Sequence, residues 1–129
     1  MLPCWSAGPR RGPLAAAAAS GTGPTEAARK IRAFLHDQYA SQVTGAELAA
    51  VADRSRYAAY RAFQGSYRLA PSAYQRQLRL RAARRLLARG VAPAEAAAQA
   101  GFADQAHLTR WFRRCYGITP GAYRGAASG

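Results

Sequence analysis

The sequence predicts an all-α fold of seven helices, with two helix-turn-helix subdomains joined by a long central helix. Three observations predict it. The chain repeats itself once, its apolar residues recur at helical spacing with no credible strand alternation, and helix caps stand at matching places in both copies. Displaced by 49 positions, Arg61 falls on Arg110, Phe63 on Phe112, Tyr67 on Tyr116, Pro71 on Pro120 and Tyr74 on Tyr123. The pattern Arg-x-Phe-x3-Tyr-x3-Pro-x2-Tyr therefore occurs twice. Two copies are too few for a solenoid, whose repeats need at least about three stacked units. They describe two similar supersecondary units in one small protein.

Residues 1–24 carry four prolines and four glycines and show no periodic apolar face. Such a composition buries too little surface to offset the entropy of ordering, so this stretch is expected to be a disordered tail or linker. Its apolar run, Leu14 to Ala19, is too short and too weakly apolar for a signal peptide. Thr25 is a suitable cap for a first helix to Tyr39, with Ile31, Phe34 and Leu35 on one side. The domain is expected to fill residues 25–129.

The first helix-turn-helix covers about 45–64. Gly45 to Ala52 is a short alanine-rich helix, Asp53 and Arg54 make the turn, and Ser55 caps a second helix from Tyr57 to Gln64. The linking helix, about 72–89, has Tyr74, Leu78, Ala82 and Leu86 every fourth residue, and Ala83 and Leu87 widen that stripe. The second helix-turn-helix covers about 93–116. Pro93 suits the first turn of its opening helix, Gly101 supplies the turn, and Asp104 caps Gln105 to Tyr116. Gly117 ends that helix, and Thr119-Pro120 opens a final short turn.

Composition narrows the partners. Lys+Arg number 19 against 6 Asp+Glu, a formal net charge of +13, and ten arginines with no acid lie between Arg54 and Arg89. Uncompensated charge of one sign points to a polyanion. Arg76, Arg79, Arg84 and Arg85 are expected on the solvated side of the linking helix. No run of about 18 apolar residues is present, so no membrane span is expected, and nucleic acid is preferred to a membrane as the partner. Cys4 and Cys115 stand far apart, one of them in the tail, which argues against a structural disulfide and fits a reducing cytoplasm. Two cysteines and two histidines, widely spaced, give no zinc pattern, so no metal and no cofactor are expected. His107 and Cys115 are eight residues apart on one helix, about 12 Å along its axis, too far to share a proton, and no catalytic residue is assigned.

A short capped helix after a tight turn fits the DNA major groove. In the first unit the outward face is Tyr57, Tyr60, Arg61 and Gln64, with Ala59, Ala62 and Phe63 inward. In the second it is Gln105, Ala106, His107, Thr109 and Arg110, with Leu108, Phe112 and Trp111 inward. Arg bonds guanine at two acceptors, Gln bonds adenine likewise, and a Tyr ring meets a thymine methyl. Arg54, Arg56 and Arg68 are the candidate phosphate contacts. The competing reading is a basic RNA-binding or anionic-surface protein without sequence readout, which would not need paired caps and repeated reading faces.

The stretch from about Arg29 to Arg124 resembles the DNA-binding domain of AraC/XylS-type bacterial transcription regulators. Its most specific part is GFADQAHLTRWFRRCYGITPGAYR, Gly101 to Arg124. The resemblance implies seven helices, insertion of the second helix of each motif into the major groove, and base contacts at the residues of the two reading faces. It implies double-stranded promoter or operator DNA as partner, RNA polymerase as a further one, and a monomer whose two motifs replace a dimer.

The first unit departs from the family pattern. Asp53 and Arg68 stand where glycine is usual, Arg54 where an apolar residue is usual, and Ala59 where a large apolar one is. In the second unit Ala96 replaces the common Ile or Val. The first unit is therefore expected to be the less well packed, a charge clamp beside a second unit that reads bases.

Overall fold

The structure is a computed structural model, and it describes residues 23–128. The tail expectation for residues 1–24 thus falls almost wholly outside the described residues. Among those residues there are seven helices and no strand. They are α1 (Glu26–Gln38), α2 (Gly45–Ala52), α3 (Arg56–Tyr67), α4 (Pro71–Ala88), α5 (Pro93–Ala100), α6 (Gln105–Tyr116) and α7 (Pro120–Ser128). The sequence expectation of seven helices holds. The last one is a nine-residue helix rather than a turn. It is started by Thr119, whose Oγ1 accepts the Ala122 N–H at 3.1 Å. Two compact units divide the described residues: 23–38 with 42–75, and 39–41 with 76–128. α4 begins in the first and continues into the second.

Local chemistry fixes the helix ends. Thr25 Oγ1 accepts the Ala28 N–H at 3.1 Å, Ser55 Oγ the Ala58 N–H at 3.1 Å, and Asp104 Oδ1 the His107 N–H at 2.8 Å. Each cap satisfies one of the orphan donors at a helix start. A capping box that sequence inspection passed over opens α2: Thr44 accepts from Glu47 N–H, and the Glu47 carboxylate accepts from Thr44 N–H at 2.8 Å. Both turns end the preceding helix in the left-handed region. Asp53 (φ 54) and Gly101 (φ 99) each donate back to it, followed by Arg54 N–H to Ala49 O at 3.0 Å and Phe102 N–H to Ala97 O at 2.9 Å.

The first unit packs α1 against α2 and α3, and α2 against α3. Its core holds Ala28, Ile31, Leu35, Ala52, Ala59 and Phe63. The second packs α5 on α6 and α7, and α6 on α7, around Leu80, Ala83, Leu87, Leu108 and Phe112. The 49-residue repeat has a packing cause. Phe63 lies 4.9 Å from Tyr67 and 5.4 Å from Tyr74, centroid to centroid, and Phe112 lies 4.7 Å from Tyr116 and 5.7 Å from Tyr123. The repeated Phe, Tyr and Tyr are one tilted aromatic cluster built twice.

The two cores differ where the sequence differs. Leu108 is fully buried in the second unit. Its counterpart Ala59 lines an open cavity of about 310 Å³ in the first. Leu80, outside the expected stripe of α4, is fully buried, and Gln77 is also buried. α4 therefore has more than one covered side. Cys115 is fully buried; the expected absence of a disulfide turns on Cys4, which lies outside the described residues.

Candidate nucleic-acid interface

α3 and α6 each present one polar face opposite a buried apolar one. On α3, Phe63 and Ala59 point into the core, and Tyr57, Tyr60, Arg61 and Gln64 are exposed. Two large aromatics stand out to water on this face: Tyr57 is 69% exposed and Tyr60 42%. Arg61 Nη1 donates to Tyr57 Oη at 2.9 Å, and its guanidinium sits 5.6 Å from the Tyr57 ring centre. One helical turn thus pre-arranges a cationic fork beside an aromatic ring. Ala62 is only half-buried.

On α6, Leu108, Phe112 and Cys115 are buried, and Gln105, Ala106 and Arg110 are exposed. His107 and Thr109, expected to be exposed, are half-buried. His107 stands edge-on to Phe102, 5.5 Å between centroids, and its Nδ1 accepts the Ala103 N–H at 3.4 Å. The longer turn of this unit delivers Phe102 for that contact. An Nδ1 that accepts leaves Nε2 as the donor available for recognition. Ala106, His107 and Arg110 come together with Asp104 around one open depression. Arg110 forms no ion pair among the described residues, so a structural salt bridge does not account for it.

Arg54, Arg56 and Arg68 are all exposed, as phosphate contacts require. Arg68 occupies the left-handed region, φ 64, where the second unit has Gly117, φ 84.

The linking-helix arginines need correction. Arg76 is half-buried, its guanidinium 3.7 Å from the Trp111 ring centre. Burial, and then the Arg114 charge, lower its pKa from the ordinary value. Arg114 lies 5.2 Å from the same ring. Arg79 donates to the carbonyls of Tyr39 at 2.6 Å and Ser41 at 2.8 Å, and burial lowers its pKa as well. Arg84 sits 5.2 Å from the Tyr116 ring. Only Arg85 of the four is exposed. Aromatic faces and carbonyls, rather than acids, compensate these cations, because a guanidinium can stack and donate at once. The Arg76–Trp111–Arg114 stack was missed in the sequence. The i, i+3 spacing of Trp111 and Arg114 was its one legible signal.

No group of His, Cys, Asp and Glu among the described residues could hold a metal ion. No helix among them is long and apolar enough to cross a membrane.

Comparison with known proteins follows the same lines. A family described as a helix-turn-helix domain matches residues 48–126. The chain is 36% identical over 101 residues to the transcriptional activator NphR of a Rhodococcus species, covering 78% of this chain and 29% of that one. It spans less than a third of the length of the curated relatives it matches. Among solved structures, the DNA-binding domain of AdpA, the global transcriptional factor, in complex with a target DNA is 30% identical, with a TM-score of 0.72 over 79% of this chain and 93% of that one. A probable AraC family transcriptional regulator from Rhodopseudomonas palustris is 27% identical, with a TM-score of 0.72 over 80% and 98%. The turn-linked capped helices, their repetition and this match agree: the chain belongs to the AraC/XylS-type family of helix-turn-helix DNA-binding domains.

Proposed function

We propose that this chain is a bacterial transcription regulator that reads promoter or operator DNA and engages two successive major-groove segments through α3 and α6. The observation that carries the reading is the pair of equivalent exposed faces. Each lies on a helix capped at its start, and each offers an arginine at the same repeat position. Tyr57, Tyr60, Arg61 and Gln64 contact bases from α3, and Gln105, Ala106, His107, Thr109 and Arg110 from α6. Ala106 supplies only a methyl contact. Arg54, Arg56 and Arg68 hold phosphates. The DNA-bound AdpA domain and the activator NphR support this reading for a chain of the same family. The protein acts as a monomer in the cytoplasm, with RNA polymerase as a second partner at the promoter.

Footprinting on sites selected from a randomised duplex library tests the reading. Protection should span two adjacent groove segments, about one helical turn or 34 Å apart, without a palindrome. Affinity should fall with salt for every duplex, because phosphate contacts release counterions. The selected site should keep its advantage over random DNA and over RNA of equal charge. Equal affinity for all three polyanions would remove sequence readout. A palindrome filled by two chains would remove the monomer.

A further inference from the structure

The first unit contains the means to hold a small molecule. Its cavity of about 310 Å³ falls at the lower end of the range for small-ligand sites, about 300–1,000 Å³. Leu35, Val43, Leu48, Ala59 and Pro71 give it apolar walls. The second unit fills the corresponding place with the Leu108 side chain, which is fully buried. Ala59 lacks the branched side chain that Leu108 supplies, so part of the opening adjoins position 59.

The polar lining is cationic on balance. Arg56 borders the cavity, and no lining residue is acidic. Its Cδ lies 3.6 Å from where a Cβ on Gly45 would stand, so the side chain runs along a wall that a larger residue would crowd. Among the described residues its guanidinium has neither a hydrogen bond nor an ion pair. Tyr60 and Ser72 also line it. The first intrahelical bond of α4 runs from Tyr74 N–H to Ala70 O at 3.0 Å, so the Ser72 and Ala73 N–H groups have no partner within the helix. An arginine without a partner at the border of an apolar chamber is complementary to a ligand with an apolar body and an anionic end.

We propose that this cavity binds a small aromatic carboxylate, its ring system against Val43 and Leu48 and its carboxylate on Arg56. Arg56 is also a proposed phosphate contact and Tyr60 a proposed base contact, so an occupied cavity competes with DNA on α3. That consequence rests on the DNA-reading proposal; the binding itself does not.

The test titrates the full 129-residue chain with 1-naphthoate and with the uncharged 1-naphthamide, followed by calorimetry and by NMR. Naphthoate should bind more tightly than the amide by about tenfold, the worth of a charge-assisted hydrogen bond. Arg56→Gln should erase that preference, and Ala59→Leu should abolish binding of both. Intermolecular contacts to the Val43 and Leu48 methyl groups locate the ligand without any variant, which keeps the test decisive should Ala59→Leu not fold. No saturable binding, equal affinity for acid and amide, or contacts elsewhere would overturn the site. Saturating naphthoate should weaken DNA binding by the natural chain and leave Ala59→Leu unaffected. Unchanged DNA affinity at full occupancy would overturn the competition and leave the site standing.

Discussion

The two helix-turn-helix units carry the same plan to different degrees of finish. Both cap the second helix of the motif with a side-chain oxygen, bury a Phe just past its middle and surround that Phe with two tyrosines. The second unit adds a branched aliphatic core residue, Leu108, and glycine at both left-handed positions. The first has Ala59, a cavity, and Asp53 and Arg68 in those backbone positions. The difference separates what a recognition helix needs from what makes it rigid. Caps and one aromatic cluster suffice to form it, whereas core volume and relaxed turns decide how firmly its outward side chains are held.

Core volume gives the sharpest way to break the comparison. Leu108→Ala should destabilise the second unit by about 3–5 kcal/mol, since its neighbours cannot close around the lost atoms. The matching change in the first unit already exists as Ala59. The reverse change, Ala59→Leu, should add up to about 2 kcal/mol by covering apolar surface. Urea unfolding of both variants measures the pair. A Leu108→Ala loss below about 1 kcal/mol would mean that the second core is no tighter than the first.

The turns offer a second contrast. A Cβ on Gly101 would stand 2.7 Å from the Ala40 Cα and carbonyl oxygen, at φ 99. Both the conformation and the space exclude a side chain, so Gly101→Ala should cost about 2–4 kcal/mol. Asp53 already tolerates φ 54, and Asp53→Ala should cost less than about 1 kcal/mol. Thermal unfolding orders the two, and equal losses would show that Gly101 is not specially constrained.

Much of this was legible in the sequence, because the signals were local. Ser55, Asp104 and Thr25 act as caps through bonds to residues three positions on, and a glycine after a short helix has few alternatives to the left-handed cap. The smaller core side chain at Ala59 was visible because the repeat supplies its own control at Leu108. What escaped depends on partners distant in the chain. Arg79 meets the Tyr39 and Ser41 carbonyls across about forty residues, and Arg76 stacks on Trp111 from another helix. A helical wheel assigns such arginines to solvent, because it registers their charge and not their planarity. Leu80 falls outside the stripe for a related reason: α4 is covered on more than one side, and a single apolar stripe describes a helix covered on one. On α6, the half-burial of His107 follows from Phe102, which the longer turn brings beneath it.

Base recognition should show the same asymmetry. Arg110→Ala should cost about 1–3 kcal/mol on the preferred site and relax choice at one base pair. Arg61→Ala should relax choice less, because a helix beside a cavity places bidentate groups less accurately while its charges still attract phosphates. Against this stands the Arg61–Tyr57 bond, which steadies the fork from within the helix. Selection from a randomised site library with each variant decides between packing and the tyrosine. If Arg61→Ala relaxes more positions than Arg110→Ala, local pre-arrangement outweighs core rigidity, and the first unit is the principal reader.

The smallest expected effect separates stability from charge at a single position. Arg68 ends α3 at φ 64 and donates its N–H to Gln64 O at 2.8 Å, as Gly117 does to Arg113 O in the second unit. A side chain in that conformation costs about 1 kcal/mol, and part of the gain from glycine returns as unfolded-chain entropy. Arg68→Gly should therefore stabilise the first unit by no more than about 1 kcal/mol. The same change removes a proposed phosphate contact, so the dependence of log affinity on log salt should become shallower by about one unit. Stability should rise while DNA binding weakens evenly on selected and random duplexes. If Arg68→Gly stabilises the fold and leaves the salt slope unchanged, Arg68 holds no phosphate. If it destabilises the fold, the arginine makes a packing contribution larger than its backbone strain, and the contrast between the two helix ends is one of sequence without an energetic difference.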